Sequence, residues 1–176
     1  SLKVWIVDPA DRMSEEAAHA FRKTLEEPTG GLLFVLVTAA VPALLPLMKD
    51  ENSLVRSRAA GALGKVAGAG VVEPLLAALQ DADPEVRRCA AEGLGRAKDR
   101  RAVEALMTSA KDESPQVRQA AVAALGELGD NRAVTPAINA LNDAERLVRL
   151  AAARTLRQIK DPRAIEPLIE AVGDPY

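Results

Sequence analysis

Aromatic residues are almost missing from this chain: one Trp, one Tyr and two Phe make up 2% of its 176 residues, although 48% of it is apolar. A core must therefore be assembled from Ala, Leu and Val, and small aliphatic side chains packed in helices fit that inventory. An excess of charge of one sign is lacking too. The 23 Lys and Arg nearly balance the 25 Asp and Glu, leaving a formal net charge of −2. No global basic field exists to hold a phosphate backbone, so nucleic acid is not an expected partner. The single cysteine, Cys89, excludes an internal disulfide and suits a reducing, cytoplasmic compartment. With one Cys and one His the chain cannot build a zinc centre, and its carboxylates lack calcium-loop spacing, so neither metal nor cofactor is expected. The lone histidine, His19, is the one possible base for a Ser/His/Asp triad, has no convincing nucleophile near it and reads as a surface helix residue, so no catalytic residue is nominated. The longest apolar run, Leu32–Met48, is broken by Thr38, Pro42 and Pro46. It is short for a membrane span and lacks one-signed charged flanks, so it reads as core. No signal peptide is legible.

What the chain does have is a beat. Val-Arg recurs at Val55-Arg56, Val86-Arg87, Val117-Arg118 and Val148-Arg149, and aspartate keeps the same constant step at Asp50, Asp81, Asp112, Asp143 and Asp174. A fixed period of this size marks a solenoid, whose units bury their apolar faces against their neighbours. Each unit predicts two helices. The first covers Val71–Gln80, Ala102–Lys111, Ala133–Asn142 and Ala164–Gly173, with an earlier version near Val41–Lys49. Pro74, Pro136 and Pro167 suit its first turn, where a missing N–H costs nothing. The second helix opens on Asp83-Pro84 and Ser114-Pro115, each a cap followed by a proline that presets φ. Val86, Ala90, Gly93 and Leu94 line its buried face, matched by Val117, Ala121, Ala124 and Leu125. Gly64, Gly95 and Gly126 are expected to end these helices in a left-handed cap. The reading is an all-α, right-handed α-solenoid of four near-complete hairpins, Val41 to Lys160, plus one terminal helix.

The order Asp, Pro, Val-Arg, two alanines, Leu-Gly resembles HEAT repeats, specifically the short class of phycobilisome-lyase-like proteins, over about three quarters of the chain. The resemblance implies an internal ladder pairing Asp50 with Arg56, Asp81 with Arg87, Asp112 with Arg118 and Asp143 with Arg149. It also implies that the second helices line a concave side. The varying positions there form the candidate partner-binding stripe: Leu54, Ser57, Gly61 and Lys65, then Glu85, Arg88, Glu92 and Arg96, then Gln116, Gln119, Ala123 and Glu127, and finally Leu147, Leu150, Arg154 and Gln158. Mixed charge beside an apolar patch suits a protein or peptide partner. Cys89 reads as a small packing residue.

Residues 1–40 keep no beat and read as a separate strand–helix–strand cap before the repeat domain, 41–176. Lys3–Asp8 and Leu32–Val37 predict strands, and Ser14–Glu27 a helix; an alternative makes Leu32–Met48 one kinked helix. The string from Lys3 to Pro28, with Thr24-Leu-Glu-Glu-Pro28 as its most specific part, resembles the ATPase module of bacterial clamp-loader subunits between Walker B and sensor 1. That places Asp8 at the Walker B acid and Thr38 near sensor 1. Pro9 stands where an active enzyme has glutamate, and no phosphate-binding loop occurs in the sequence.

The functional expectation is a non-catalytic scaffold for another protein, with a bilin lyase-type enzyme subunit as the alternative. Asp174 opens the turn toward a fifth second helix, and the apolar flank of Ala164–Gly173 suggests a homodimer through the C-terminal repeat. Titration with MgATP is expected to give neither heat nor a melting shift; micromolar binding would refute this reading of residues 1–40.

Overall fold

The computed structural model describes residues 40–66 and 69–173, and among these the chain forms nine α-helices and no strand. The strand–helix–strand cap, together with Asp8, His19 and Thr38, lies outside the described residues. The helices are α1 (Ala40–Leu47), α2 (Ser53–Leu63), α3 (Val72–Ala78), α4 (Pro84–Ala97), α5 (Val103–Ser109), α6 (Pro115–Leu128), α7 (Val134–Ala140), α8 (Arg146–Ile159) and α9 (Ile165–Gly173). Odd-numbered helices pack against the even-numbered ones that follow them, and α2, α4, α6 and α8 stack on one another. The result is an α-solenoid. Each first helix after α1 enters through one 3-10 turn, at Ala69–Val71, Arg100–Ala102, Asn131–Ala133 and Pro162–Ala164.

The packing follows directly from the repeat. On the second helices, Val55, Ala59 and Leu63 recur as Val86, Ala90, Leu94, as Val117, Ala121, Leu125 and as Val148, Ala152, Leu156, every one at most 1% exposed. Positions four apart share a helix face, so these form one continuous apolar stripe. Leu75 and Leu106 meet it from the first helices, both fully buried. Helix α9 has no second helix following it among the described residues. Ile165 is therefore 57% exposed, whereas Val72, Val103 and Val134 at the same register are at most 1% exposed.

Two local expectations need correction. Ser114 occupies the N-cap of α6 but its hydroxyl donates to Gln116 Oε1 at 2.8 Å instead of accepting a backbone N–H, as Asp83 does from Glu85 at 2.8 Å. Gly64, Gly95 and Gly126 do not form left-handed caps. Gly64 is right-handed, with φ −64°, and Gly95 and Gly126 lie inside α4 and α6. The left-handed residues are Lys98, Gly129 and Lys160, with φ of 52°, 62° and 57°. The three glycines serve close approach instead. A Cβ on Gly64 would collide with the Gly93 main chain of α4, and one on Gly95 would stand 2.9 Å from Ala124 Cα in α6. One on Gly126 would stand 2.7 Å from Thr155 Oγ1 in α8. Thr155 Oγ1 also donates to the Val122 carbonyl at 2.8 Å, tying α8 to α6 within the core.

Two glycines in or at the end of α2 separate these roles. Gly61 has no atom within 4 Å of an added Cβ. Gly61→Ala should stabilise by about 0.5–1 kcal/mol through reduced backbone entropy of the unfolded chain. Gly64→Ala should destabilise by about 1–3 kcal/mol through overpacking. Urea denaturation of the two variants measures both, and equal effects would contradict the stacking described here.

Candidate protein-binding surface

The arginines of the first three Val-Arg pairs spend their whole fork on the repeat, and Arg149 commits its Nη1 in the same way. Arg56, Arg87, Arg118 and Arg149 donate from Nη1 to the carbonyls of their own unit's turn, at 2.8–3.1 Å: Asp50 and Glu51, Asp81 and Ala82, Asp112 and Glu113, Asp143 and Ala144. With that edge occupied, Nε and Nη2 point to the next unit. Arg56 meets the Asp81 carboxylate at 2.8 and 2.9 Å, Arg87 meets Asp112 at 2.9 and 2.9 Å, and Arg118 meets Asp143 at 2.7 and 2.9 Å. The pairs expected within one unit, Asp50/Arg56, Asp81/Arg87, Asp112/Arg118 and Asp143/Arg149, are thus not carboxylate pairs. Inside a unit the arginine reaches the aspartate's main chain, and its carboxylate partner lies across the unit boundary, in the turn of the following repeat. For Arg149 that register points to Asp174, outside the described residues.

Each aspartate is also held by its own backbone. Asp50, Asp81, Asp112 and Asp143 accept the N–H two residues on, at 2.8–2.9 Å. The hydrogen bond from Arg56 holds the Asp81 carboxyl below its ordinary pKa, and Arg118 does the same for Asp143. For Asp112 burial pushes upward, and Arg87 with the Ser114 N–H outweighs it.

A second ladder runs along the first helices, and the sequence reading missed it. Asp99, Asp130 and Asp161 cap the 3-10 turns by accepting the N–H of Arg101, Arg132 and Arg163 at 2.9–3.0 Å. Arg101 then reaches back to Glu73 and Arg132 to Glu104, each at 2.8 Å. Arg163 finds Thr135 at the equivalent position and reaches the Asn131 carbonyl instead, at 3.4 Å. The signal was present as Asp-x-Arg-Ala, which keeps the same beat as Val-Arg. Hydrogen bonds from the neighbouring arginines lower Asp130 and Asp161 to about 2.

The second-helix stripe is not uniform. On α4 it neutralises itself: Arg88 grips Glu85 at 2.6 and 2.8 Å and also bonds Glu92, which Arg96 approaches at 3.4 Å. Ser57 is buried, at 3% exposure, and leaves the stripe, its hydroxyl donating to the Leu54 carbonyl. On α6, Gln116 and Glu127 are exposed and Gln119 is half-buried. On α8, Leu147 is 59% and Leu150 44% exposed. Arg154 beside them is exposed and forms no ion pair among the described residues. Leu147 shares its register with Leu54, Glu85 and Gln116, all exposed, so its exposure belongs to the face and not to the end of the stack. Burial pushes the Cys89 thiol up to about 11, which favours the protonated form at neutral pH. Among the described residues no cluster of His, Cys, Asp or Glu could hold a metal ion, and no helix is long and apolar enough to cross a membrane.

The cross-unit pairing has measurable consequences. Arg118→Ala should cost roughly 2–4 kcal/mol by stranding a partly buried carboxylate, and Arg88→Ala under about 1 kcal/mol. A double-mutant cycle should give stronger coupling for Arg118 with Asp143 than for Arg118 with Asp112; the reverse order would restore the within-unit pairing. The folded pKa values of Asp81, Asp112 and Asp143 lie below the unfolded ones. Their contribution is therefore complete above the ordinary aspartate value of about 3.9 and is lost as pH falls through the depressed folded values. The melting temperature should hold from pH 7 to about 5 and drop below about pH 4.

Comparison with known proteins agrees with this geometry. A family model described as HEAT repeats matches residues 72–143 and 110–176. One described as HEAT-like repeat matches 13–66, and one described as PBS lyase HEAT-like repeat matches 55–81. The resemblance of residues 1–40 to a clamp-loader ATPase gains no support from these matches, and the second of them runs into that segment. No curated protein matches the sequence. Among solved structures, the complex of CpcE and CpcF of phycocyanin lyase from Nostoc sp. is similar at 24% identity and TM-score 0.67, covering all of this chain and 76% of that one. Human deoxyhypusine hydroxylase in complex with glycerol is similar at 23% and 0.61, covering 86% of this chain, which spans only 59% of that one. A designed armadillo repeat protein in complex with the peptide (KR)4 is similar at 21% and 0.61, covering 93% and 84%. At such identities these likenesses speak for the fold alone. The family match extends over more than half of the sequence, and its repeats coincide with the hairpins built by the Arg–Asp ladder: the chain belongs to the HEAT-repeat family.

Proposed function

We propose that this chain is a non-catalytic helical-repeat scaffold that holds a protein or peptide partner on the concave face of its second helices, with Leu147, Leu150 and Arg154 as the anchoring end. One observation carries the reading. The positions that build the fold repeat from unit to unit, whereas the exposed register runs Leu54, Glu85, Gln116, Leu147 with no residue type common to all units. Residues spent on stacking are the same everywhere, so the variable ones are free to recognise something. Exposed leucines next to an arginine with no carboxylate partner among the described residues suit a protein surface, since such anchors dominate interface energetics. The balanced charge of the stripe does not suit a phosphate backbone.

A bilin lyase-type subunit is the second reading, favoured by the PBS lyase HEAT-like match over residues 55–81 and the likeness to phycocyanin lyase. It rests on fold analogy, and fold does not imply function. The absence of a red-shifted absorbance band on mixing the chain with a free bilin would count against it.

The scaffold reading is tested with the immobilised chain and an extract of its host. A specific partner should be retained by the wild type and by Thr135→Lys on the first-helix side, and lost from Leu147→Asp/Arg154→Glu. A partner indifferent to the second-helix variant would place the recognition surface elsewhere.

A further inference from the structure

The C-terminal halves of the second helices meet in register: Gly64 abuts Gly93, Gly95 abuts Ala124 and Gly126 abuts Thr155. Their C-terminal ends and the turns that follow therefore share one edge of the solenoid. That edge carries positive charge which the fold does not use. Lys65 follows α2, Arg96 lies in the last turn of α4, Lys98 caps that helix, Arg100 stands in the next turn and Lys160 caps α8. All five are exposed, as are Glu127, Gly129, Asn131, Gln158 and Pro162 at the same registers, so their exposure belongs to the edge. Lys65, Lys98 and Lys160 form no ion pair among the described residues, and Arg96 meets Glu92 only at 3.4 Å. Arg100 bonds no carboxylate among them, although its charge reaches Asp130. The aspartates of this edge are already taken: Asp99 by Arg101, Asp130 by Arg132 and Asp161 by Arg163. Stacking does not require the five cations, since the third unit places Glu127, Gly129 and Asn131 there. Lys98 and Lys160 even hold the left-handed conformation that Gly129 adopts without strain.

We propose that along this edge the second-helix surface receives an acidic, extended segment of its protein partner, whose carboxylates pair with Lys65, Arg96, Lys98, Arg100 and Lys160. The inference rests on the scaffold reading and names the chemistry that the partner brings to it. Charge complementarity carries it, because cations left unspent by the fold and held in one row are matched by a row of carboxylates. Second helices stacked at about 9 Å set α2 and α8 roughly 27 Å apart, a span of about eight extended residues. The row is broken at Glu127, the exposed acid of α6. A peptide can answer that break with a neutral or basic residue, whereas a phosphate backbone brings negative charge at every step.

Fluorescence anisotropy of the full chain with a labelled oligoglutamate of about eight residues tests it. The wild type should bind with Kd below about 0.5 mM at roughly 20 mM salt and release the peptide by about 0.3 M. Lys98→Gly/Lys160→Gly should weaken binding about fivefold, and Glu127→Lys, which closes the break, should tighten it by a similar factor. The glycine variant should melt within about 4 °C of the wild type, since glycine fits the left-handed position. No binding at about 1 mM peptide, or affinity unmoved by both variants, would overturn the proposal. So would equal binding of an oligolysine, or tighter binding of an oligothymidylate of the same charge. Oligoglutamate has no apolar anchor, so this result is read independently of Leu147 and of the extract assay that tests the scaffold reading.

Discussion

The solenoid depends on a guanidinium that has two tasks in different units. Arg56, Arg87 and Arg118 fasten their own turn through two main-chain carbonyls and clamp the next unit through a bidentate carboxylate. Partial burial makes that clamp strong and makes its loss costly, since an unpaired charge would remain in a drier environment. The aspartate is equally committed, because its second duty is to order the turn that starts its own second helix. Local turn geometry and contact between units are therefore coupled through one ion pair. Each unit is incomplete without its neighbour, as expected of a quasi-one-dimensional fold.

Around this clamp the core is built from small parts. Val, Ala and Leu recur at one-turn spacing on every second helix and are buried along the stack, and glycine lets the backbones touch. Among the described residues the core holds no aromatic side chain, and it compensates by bringing helices close, so that many weak dispersion contacts replace a few large ones. The Asp-x-Arg ladder performs a lesser version of the clamp along the first helices, where its arginines and glutamates are exposed and each pair contributes little. Where the ladder meets Thr135 in place of glutamate, Arg163 falls back on a carbonyl.

With so many polar groups committed to architecture, little of the described surface is left for the recognition proposed above. The charged stripe of α4 is satisfied internally, and Cys89 is a quiet packing thiol. Departures from the repeat gather on α8, where Leu150 stands at the register of the buried Ser57 and Arg157 at that of Gly64, Gly95 and Gly126. Repeats fold by being alike, and they acquire separate roles where they differ.

The sequence alone determined the period, the two-helix unit and the buried face. Val, Ala and Leu at fixed spacing have to share one side of a helix, and units that recur at a constant step have to stack. It also determined that the arginines of Val-Arg and the aspartates on the same beat are structural, though not those of the Asp-x-Arg ladder. Tertiary structure decided their partners, because the spacing of Asp81 and Arg87 is equally compatible with a bond inside the unit. Only the placement of the neighbouring turn shows that the carboxylate belongs to the arginine before it. The same holds for Gly64, Gly95 and Gly126. In a linear sequence a glycine near a helix end reads as a cap, whereas here it makes room for the backbone of the next unit's second helix, and the left-handed turn falls to Lys98, Gly129 and Lys160. Local pattern records what a residue can do on its own helix; which neighbour it serves depends on the distance between helices, which packing alone sets.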